Sequence, residues 1–390
     1  MLITSKLPNI GNTIFTTMSK MAVDYNAINL GQGFPDFNAD ERLLNLVSQA
    51  MQDGHNQYPL MTGISELRQV VSDKVKDLYG RQYEPNQEIT ITSGATEAIM
   101  AAIMATVHHG DEVIVIEPSY DCYVPAIRLA GGQPIFVKMT PPTGKKPFFS
   151  VDWSKVKDCV TRKTRMLIVN SPHNPTGSIF KKDDLDAIES IVVNTNILVL
   201  SDEVYEHIVF DDEEHLSLAS RPLLADRTFV ISSFGKTTHT TGWKIGYCCA
   251  PKEMTAELRK VHQFIVFTVP SPFQHGLAAY TKNPQTYLNL SNFYQEKRDR
   301  LMAGLHETKL KPLSSPGTYF LLADYSDVSD KSESEFSIWL AQNLGVVVIP
   351  VSAFYAEPES TSANHQLVRF CFAKKDTTLD AAINRLKEIS

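Results

Sequence analysis

Through the middle of this chain, short β-rich runs end in turn residues and alternate with longer stretches whose apolar residues recur at helical spacing. This alternation limits the fold more than any other feature. The expected strands are 88–92, 112–116, 166–170, 197–201, 228–232 and 244–250, with helices at 95–108, 182–194 and 252–264 among the intervening segments. Parallel neighbours need crossovers, and crossover helices cover the faces of the sheet. The pattern therefore predicts an α/β fold built on a mostly parallel sheet. After about residue 285 it changes to a long polar helix, 285–305, and two further strand-like runs at 319–323 and 367–373. That predicts three parts: an N-terminal arm belonging partly to a smaller domain (1–40), a large domain (41–285), and a smaller α+β domain (286–390).

Composition narrows the function. The 390 residues are 43% hydrophobic and 21% charged, enough to bury a large core shared between two lobes. A net charge of -7, with the basic residues scattered, argues against a nucleic-acid surface. No apolar run is long enough to span a bilayer, and the first residues lack a secretory pattern, so the cytoplasm is the expected location. Five cysteines without a C-x-x-C pair signal neither a disulfide framework nor a zinc site.

Ligands of open α/β sheets bind beyond the carboxyl ends of the strands, so chemistry is sought there. In Ser232-Ser233-Phe234-Gly235-Lys236 a lysine follows an apolar strand. Desolvation would lower its pKa and let it attack a carbonyl, although a lysine alone is usually a surface residue. Asp202 closes the strand at 197–201, with Tyr205 three residues on. Its carboxylate could hold a ring nitrogen protonated, and it could equally be a helix N-cap. Asn174, in Ser171-Pro172-His173-Asn174-Pro175-Thr176-Gly177, is either a donor to a ring oxygen or a turn starter. Ser93-Gly94-Ala95-Thr96 lets backbone N–H groups approach a phosphate at a helix start, or is a plain capping turn; it is neither G-x-G-x-x-G nor a P-loop.

Together, in this order and spacing, the motifs resemble the fold-type I, class I aminotransferases over essentially the whole chain. Asn29-Leu30-Gly31-Gln32-Gly33-Phe34-Pro35-Asp36, Asp121-Cys122-Tyr123 and Thr241-Gly242-Trp243-Lys244 are most similar to the branch holding methionine and kynurenine/glutamine aminotransferases. The resemblance implies a seven-stranded sheet and pyridoxal 5'-phosphate as cofactor. Three residues would then be catalytic: Lys236 as the Schiff-base lysine and proton shuttle, Asp202 on the pyridine nitrogen, and Tyr205, which with Asn174 meets the ring oxygen. Tyr120 would stack on the ring, while Ser233, Lys244, Ala95 and Thr96 would take the phosphate. Tyr58 would reach the phosphate of a neighbouring subunit, implying a homodimer. Lys244 stands where many relatives carry arginine, so its contact would be a point charge rather than a fork. Arg369 would clamp the substrate carboxylate, assisted by Gly33 and Asn174; a structural ion pair is its other explanation.

Phe15 aligns with a side-chain-pocket aromatic of this branch, and Phe34 adjoins the carboxylate loop; both could instead anchor the arm. The stretch 264–272 offers no Arg or Lys for a second carboxylate. The expected reaction is transamination of an uncharged L-amino acid (methionine, aromatic, leucine or glutamine) with a 2-oxo acid. The rival is β-elimination, as in cysteine-conjugate or cystathionine β-lyases. A regulator's sensor module would need a DNA-binding domain that residues 1–30 are too short to supply.

Overall fold

The computed structural model describes residues 3–8, 11, 13–143 and 147–389, so parts of the expected arm lie outside the described residues. Thirteen strands follow in chain order: β1 (Ile28–Asn29), β2 (Ile89–Thr92), β3 (Glu112–Glu117), β4 (Gln133–Lys138), β5 (Thr164–Asn170), β6 (Leu198–Asp202), β7 (Thr228–Ser233), β8 (Gly246–Cys249), β9 (Lys311–Pro312), β10 (Phe320–Asp324), β11 (Val346–Val347), β12 (Ile349–Pro350) and β13 (Leu367–Cys371). Seven of them form one sheet in the order β2-β8-β7-β6-β5-β3-β4. All its pairings are parallel except those of β8, which runs against both β2 and β7.

Burial on both faces explains the near-continuous apolar runs of the central strands. Along β5, Met166 and Ile168 join one hydrophobic cluster, while Leu167 and Val169 join the cluster on the opposite face. Along β3, Val113 and Val115 oppose Ile114 and Ile116 in the same way. The helix Gly94–Thr106 lies on β7 and β8 and against the helix Lys252–Ile265.

Three expectations need correction. The edge strand β4 was not expected, because Pro134 interrupts its run and both of its ends are exposed; proline is tolerated where no neighbour needs its N–H. The strand expected at 244–250 is only Gly246–Cys249, since Lys244 takes a left-handed backbone (φ 54°) that cannot continue a ladder. The long helix expected at 285–305 is two helices, Gln285–Leu288 and Leu290–His306, broken at Asn289 (φ -77°, ψ -8°). Nor is the second polar all round: Leu290, Tyr294, Leu301 and Leu305 are buried.

The C-terminal strands form an antiparallel sheet, β12-β13-β10-β9, and β1 pairs in parallel with β11. The helix Ile14–Asp24, capped by the Thr13 hydroxyl, packs Met18 against Val347, Ile349 and Phe354. A further cluster joins Val204, Tyr205 and Ile208 to Tyr319, Phe320, Phe370 and Phe372. Apolar packing thus runs from the end of β6 into the C-terminal sheet, bringing Tyr205 and Arg369 within one neighbourhood.

Candidate active site

The parallel strands deliver their carboxyl ends to one edge: β5 ends at Asn170, β6 at Asp202 and β7 at Ser233, where the short helix Phe234–Thr237 carries Lys236. Because β8 runs the other way, its amino end meets that same edge. Lys244, just before it, therefore arrives beside residues that follow their strands. A cavity of about 320 Å³ opens there. Every candidate residue except Tyr58 lines it: Phe15, Gly33, Phe34, Ala95, Thr96, Tyr120, Asn174, Asp202, Tyr205, Ser233, Lys236, Lys244 and Arg369. Tyr58 is 85% exposed, edge-on to Phe267, and does not line this cavity.

Asp202 is buried and accepts a hydrogen bond from the Tyr123 hydroxyl at 2.6 Å. Burial pushes its carboxyl up to about 6, against the opposing pull of the Tyr123 donor and the Lys236 charge. A turn rather than a helix follows it, so the helix-cap explanation does not hold. Asn170 ties the neighbouring strand ends together: its amide donates to the Asp202 carbonyl at 2.7 Å, and its side-chain oxygen accepts from the Asn174 N–H at 2.9 Å. Burial lowers Lys236 to about 8, with the Lys244 and Arg369 charges acting in the same direction and Cys371 and Asp202 against it. Its Nζ donates to the Tyr319 hydroxyl at 2.9 Å.

Arg369 is fully buried among aromatic rings, its guanidinium carbon 3.8 Å from the centre of Phe320, 4.9 Å from Phe354 and 5.5 Å from Phe15. Nη1 donates to Asn174 Oδ1 at 2.7 Å and Nη2 to the Gly31 carbonyl at 2.8 Å, while Nε has no hydrogen-bond partner among the described residues. No carboxylate among them lies within ion-pair distance, so the structural ion pair is not what holds this arginine. A buried cation in such surroundings is suited to an incoming anion. Phe15 both stands over Arg369 and anchors the N-terminal helix against Phe354; Phe34, 40% exposed, sits at the mouth under Lys374.

At the other end of the cavity the first turn of the helix Gly94–Thr106 meets Lys244, whose Nζ donates to Thr96 Oγ1 at 3.2 Å. A Cβ on Gly94 (φ +70°) would come within 3.2 Å of Lys244 Cε, and one on Gly246 within 2.7 Å of the Gly94 backbone. Only glycine allows this approach. An anion-binding helix start beside a lysine and a serine, an acid at the floor and a desolvated lysine between them form a set that fits a phosphorylated pyridine aldehyde.

The class I and II aminotransferase model matches residues 25–386. The chain belongs to this family. It is 46% identical to a methionine aminotransferase of Escherichia coli over 99% of this chain and 98% of that protein. The E. coli protein's structure superposes with a TM-score of 0.95 over the full length of both. A Mycobacterium tuberculosis N-succinyldiaminopimelate aminotransferase structure, 40% identical, gives the same TM-score over both full lengths. The human kynurenine–oxoglutarate transaminase 3 is 35% identical over 98% of this chain and 89% of its own. The protein is an amino-acid aminotransferase of the branch that holds the methionine and kynurenine enzymes, and its cofactor is pyridoxal 5'-phosphate. The β-lyase alternative is not favoured by these relatives.

Several residues of the site had no role in the sequence-based expectations. Tyr123, the donor to Asp202, appeared there only within a string of resemblance. Asn170 is the last residue of a strand, a position that hints at proximity to the site. Phe320 opens β10, outside the seven-stranded sheet, and Tyr319 just precedes it, 83 residues after Lys236; nothing in their local sequence links them to Lys236 or Arg369.

Proposed function

We propose that the amino donor is an L-amino acid with an uncharged side chain, methionine, aromatic, leucine or glutamine, and that its nitrogen passes to a 2-oxo acid. The observation that carries this reading is the inventory of cations. Among the described residues, the lining of the cavity contains Lys236, Lys244 and Arg369 and no other Lys or Arg, and each has work other than meeting a side-chain carboxylate. Phe15, Phe34 and Phe320 supply the remaining wall near Arg369. The E. coli relative's methionine activity agrees with this choice; the M. tuberculosis relative is named for a succinylated, acidic substrate, so family membership alone does not decide it.

In this reading Arg369 and Gly33 hold the substrate carboxylate, with Asn174 orienting the guanidinium. Lys236 would hold the cofactor through its Nζ and, on that same atom, carry the proton of the substrate α-carbon. Asp202, kept in place by Tyr123, would offer negative charge to the pyridine nitrogen. Tyr205 and Asn174 would meet the ring oxygen, Tyr120 would cover the ring, and Ser233, Thr96, Ala95 and Lys244 would receive the phosphate. When bound, pyridoxal phosphate supplies the electron-withdrawing ring that makes the α-proton removable.

Tyr58, Leu60, Phe264, Ile265 and Phe267 form an exposed, largely apolar surface. We assign it to a homodimer contact in which Tyr58 serves the neighbouring site. The same reading keeps the division into 1–40, 41–285 and 286–390. No helix among the described residues is long and apolar enough to cross a membrane, and the cytoplasm is the proposed location.

Purified protein loaded with cofactor should lose its visible absorption on addition of L-methionine and regain it with a 2-oxo acid. Lys236→Ala should do neither. Response to aspartate or glutamate but not to methionine would overturn the substrate reading while leaving the reaction intact.

A further inference from the structure

Tyr319 is fully buried beside the reactive end of Lys236. Its hydroxyl accepts from Lys236 Nζ at 2.9 Å and donates to the Gly33 carbonyl at 2.6 Å. A phenol carries one proton, and here a short hydrogen bond commits that proton to Gly33. Towards Lys236 the oxygen can then only accept. A neutral amine has two N–H bonds and one lone pair; with one N–H directed at Tyr319, the lone pair is left for the cavity. The phenol ring cannot easily turn away. Tyr205 packs edge-on to it at 5.1 Å, Phe320 at 4.9 Å and Tyr294, tilted, at 5.7 Å.

We propose that Tyr319 is a positioning residue for proton transfer: through the Gly33–Tyr319–Lys236 chain it aims the Lys236 lone pair at the substrate α-carbon. This rests on the reading of Lys236 as the lysine that holds the cofactor. The lone pair would take the α-proton, giving an ammonium that still donates one N–H to Tyr319 and can release a proton again from Nζ. Tyr319 gains and loses nothing, in keeping with burial holding its hydroxyl far above the usual phenol range. The chain also joins the lysine to the Gly31–Gly33 backbone, whose Gly31 carbonyl accepts from Arg369. Proton transfer and carboxylate recognition thereby share one rigid loop.

Tyr319→Phe keeps the ring and removes only the hydroxyl. In cofactor-free protein, the pH midpoint for acylation of Lys236 by a small amine-reactive anhydride, followed by peptide mass spectrometry, should fall by about one unit as the ammonium loses an acceptor. In the loaded enzyme, kcat should fall roughly tenfold to a hundredfold, with a larger primary isotope effect on α-deuterated methionine and a KM within about threefold of wild type. Tyr294→Phe is the control, since its hydroxyl is buried without a hydrogen-bond partner among the described residues; both readouts should stay put. If it reproduces the changes, ring packing is responsible and the proposal falls. Should Tyr319→Phe fold poorly, 2,3-difluorotyrosine at 319 retains shape and hydroxyl but weakens the acceptor, and should move the midpoint the same way by less. An unchanged midpoint and isotope effect overturn the role of Tyr319 alone; absence of covalent cofactor on wild-type Lys236 would overturn the reading beneath it.

Discussion

At the scale of single residues, the site works by placing charge where water cannot reach it. Asp202 illustrates the cost. Its folded value of about 6 lies above the ordinary carboxyl value of 3.8, so the folded chain binds its proton more tightly than the unfolded one. In cofactor-free protein this group therefore makes stability decline as pH rises from about 4 to about 6, and the full cost persists above that window. Asp202→Asn removes the buried charge while leaving Tyr123 an oxygen to donate to. It should stabilise the cofactor-free protein at pH 7 by on the order of 3 kcal/mol, with the advantage vanishing below about pH 4. Under the proposed role of Asp202 as the ring's anionic partner, transamination should drop by about a hundredfold or more. Melting curves of the cofactor-free protein across pH, beside the loaded enzyme's rate, test both halves. A variant that is less stable at neutral pH would show that the carboxylate is not a strained group.

At the scale of elements, the turn after β6 must hold Tyr205 close to Asp202 at the strand end, and it contains little regular structure of its own. Glu206 anchors it. Its carboxylate accepts from Lys74 (2.7 Å) and Tyr79 (2.7 Å) on the helix Ser65–Tyr79, from Ser232 (2.5 Å) on β7, and from Tyr247 (2.8 Å) on β8. Three elements thus converge on one buried acid. Glu206→Ala strands the Lys74 ammonium, and removing one partner of a buried pair costs about 3–5 kcal/mol. A lowered denaturation midpoint is the expected outcome, and restoring charge balance with Lys74→Met in the same chain should recover part of the loss. If the double variant is no better than the single one, the pair is not the source of the stability. Neither Glu206 nor Lys74 drew notice in the sequence, since a lysine on a helix and a glutamate in a turn are ordinary surface residues until the packing buries them.

At the scale of the whole molecule, one chain builds a nearly complete cavity but leaves Tyr58 outside it. Sedimentation should give twice the 43.6 kDa of the chain, and Tyr58→Phe should release pyridoxal phosphate more readily while its melting temperature without cofactor stays near wild type. A monomer with full activity would remove Tyr58 from the site. Much of the architecture could be read from one dimension. Strand and helix periods identify their elements because burial on one or two faces imposes them locally, so β2, β3, β5, β6, β7 and the helices Gly94–Thr106, Lys182–Val192 and Lys252–Ile265 were legible, as was the place of Asp202, Asn174 and Lys236 at or beyond strand ends; the short helices Tyr123–Leu129, Trp153–Asp158 and Pro222–Ala225 were not. Edge strand β4 was not, because a strand with one neighbour and little burial carries no strong pattern. By itself the sequence determined an α/β chain with its chemistry at strand ends, since those signals span only a few neighbouring residues. Only the tertiary structure decided that Tyr319 would meet Lys236, that Arg369 would lie among Phe15, Phe320 and Phe354, and that antiparallel β8 would bring Lys244 to the anion end of the cavity. Those contacts join residues far apart in the chain, and long-range strand pairing and side-chain packing select them, leaving no mark on local periodicity.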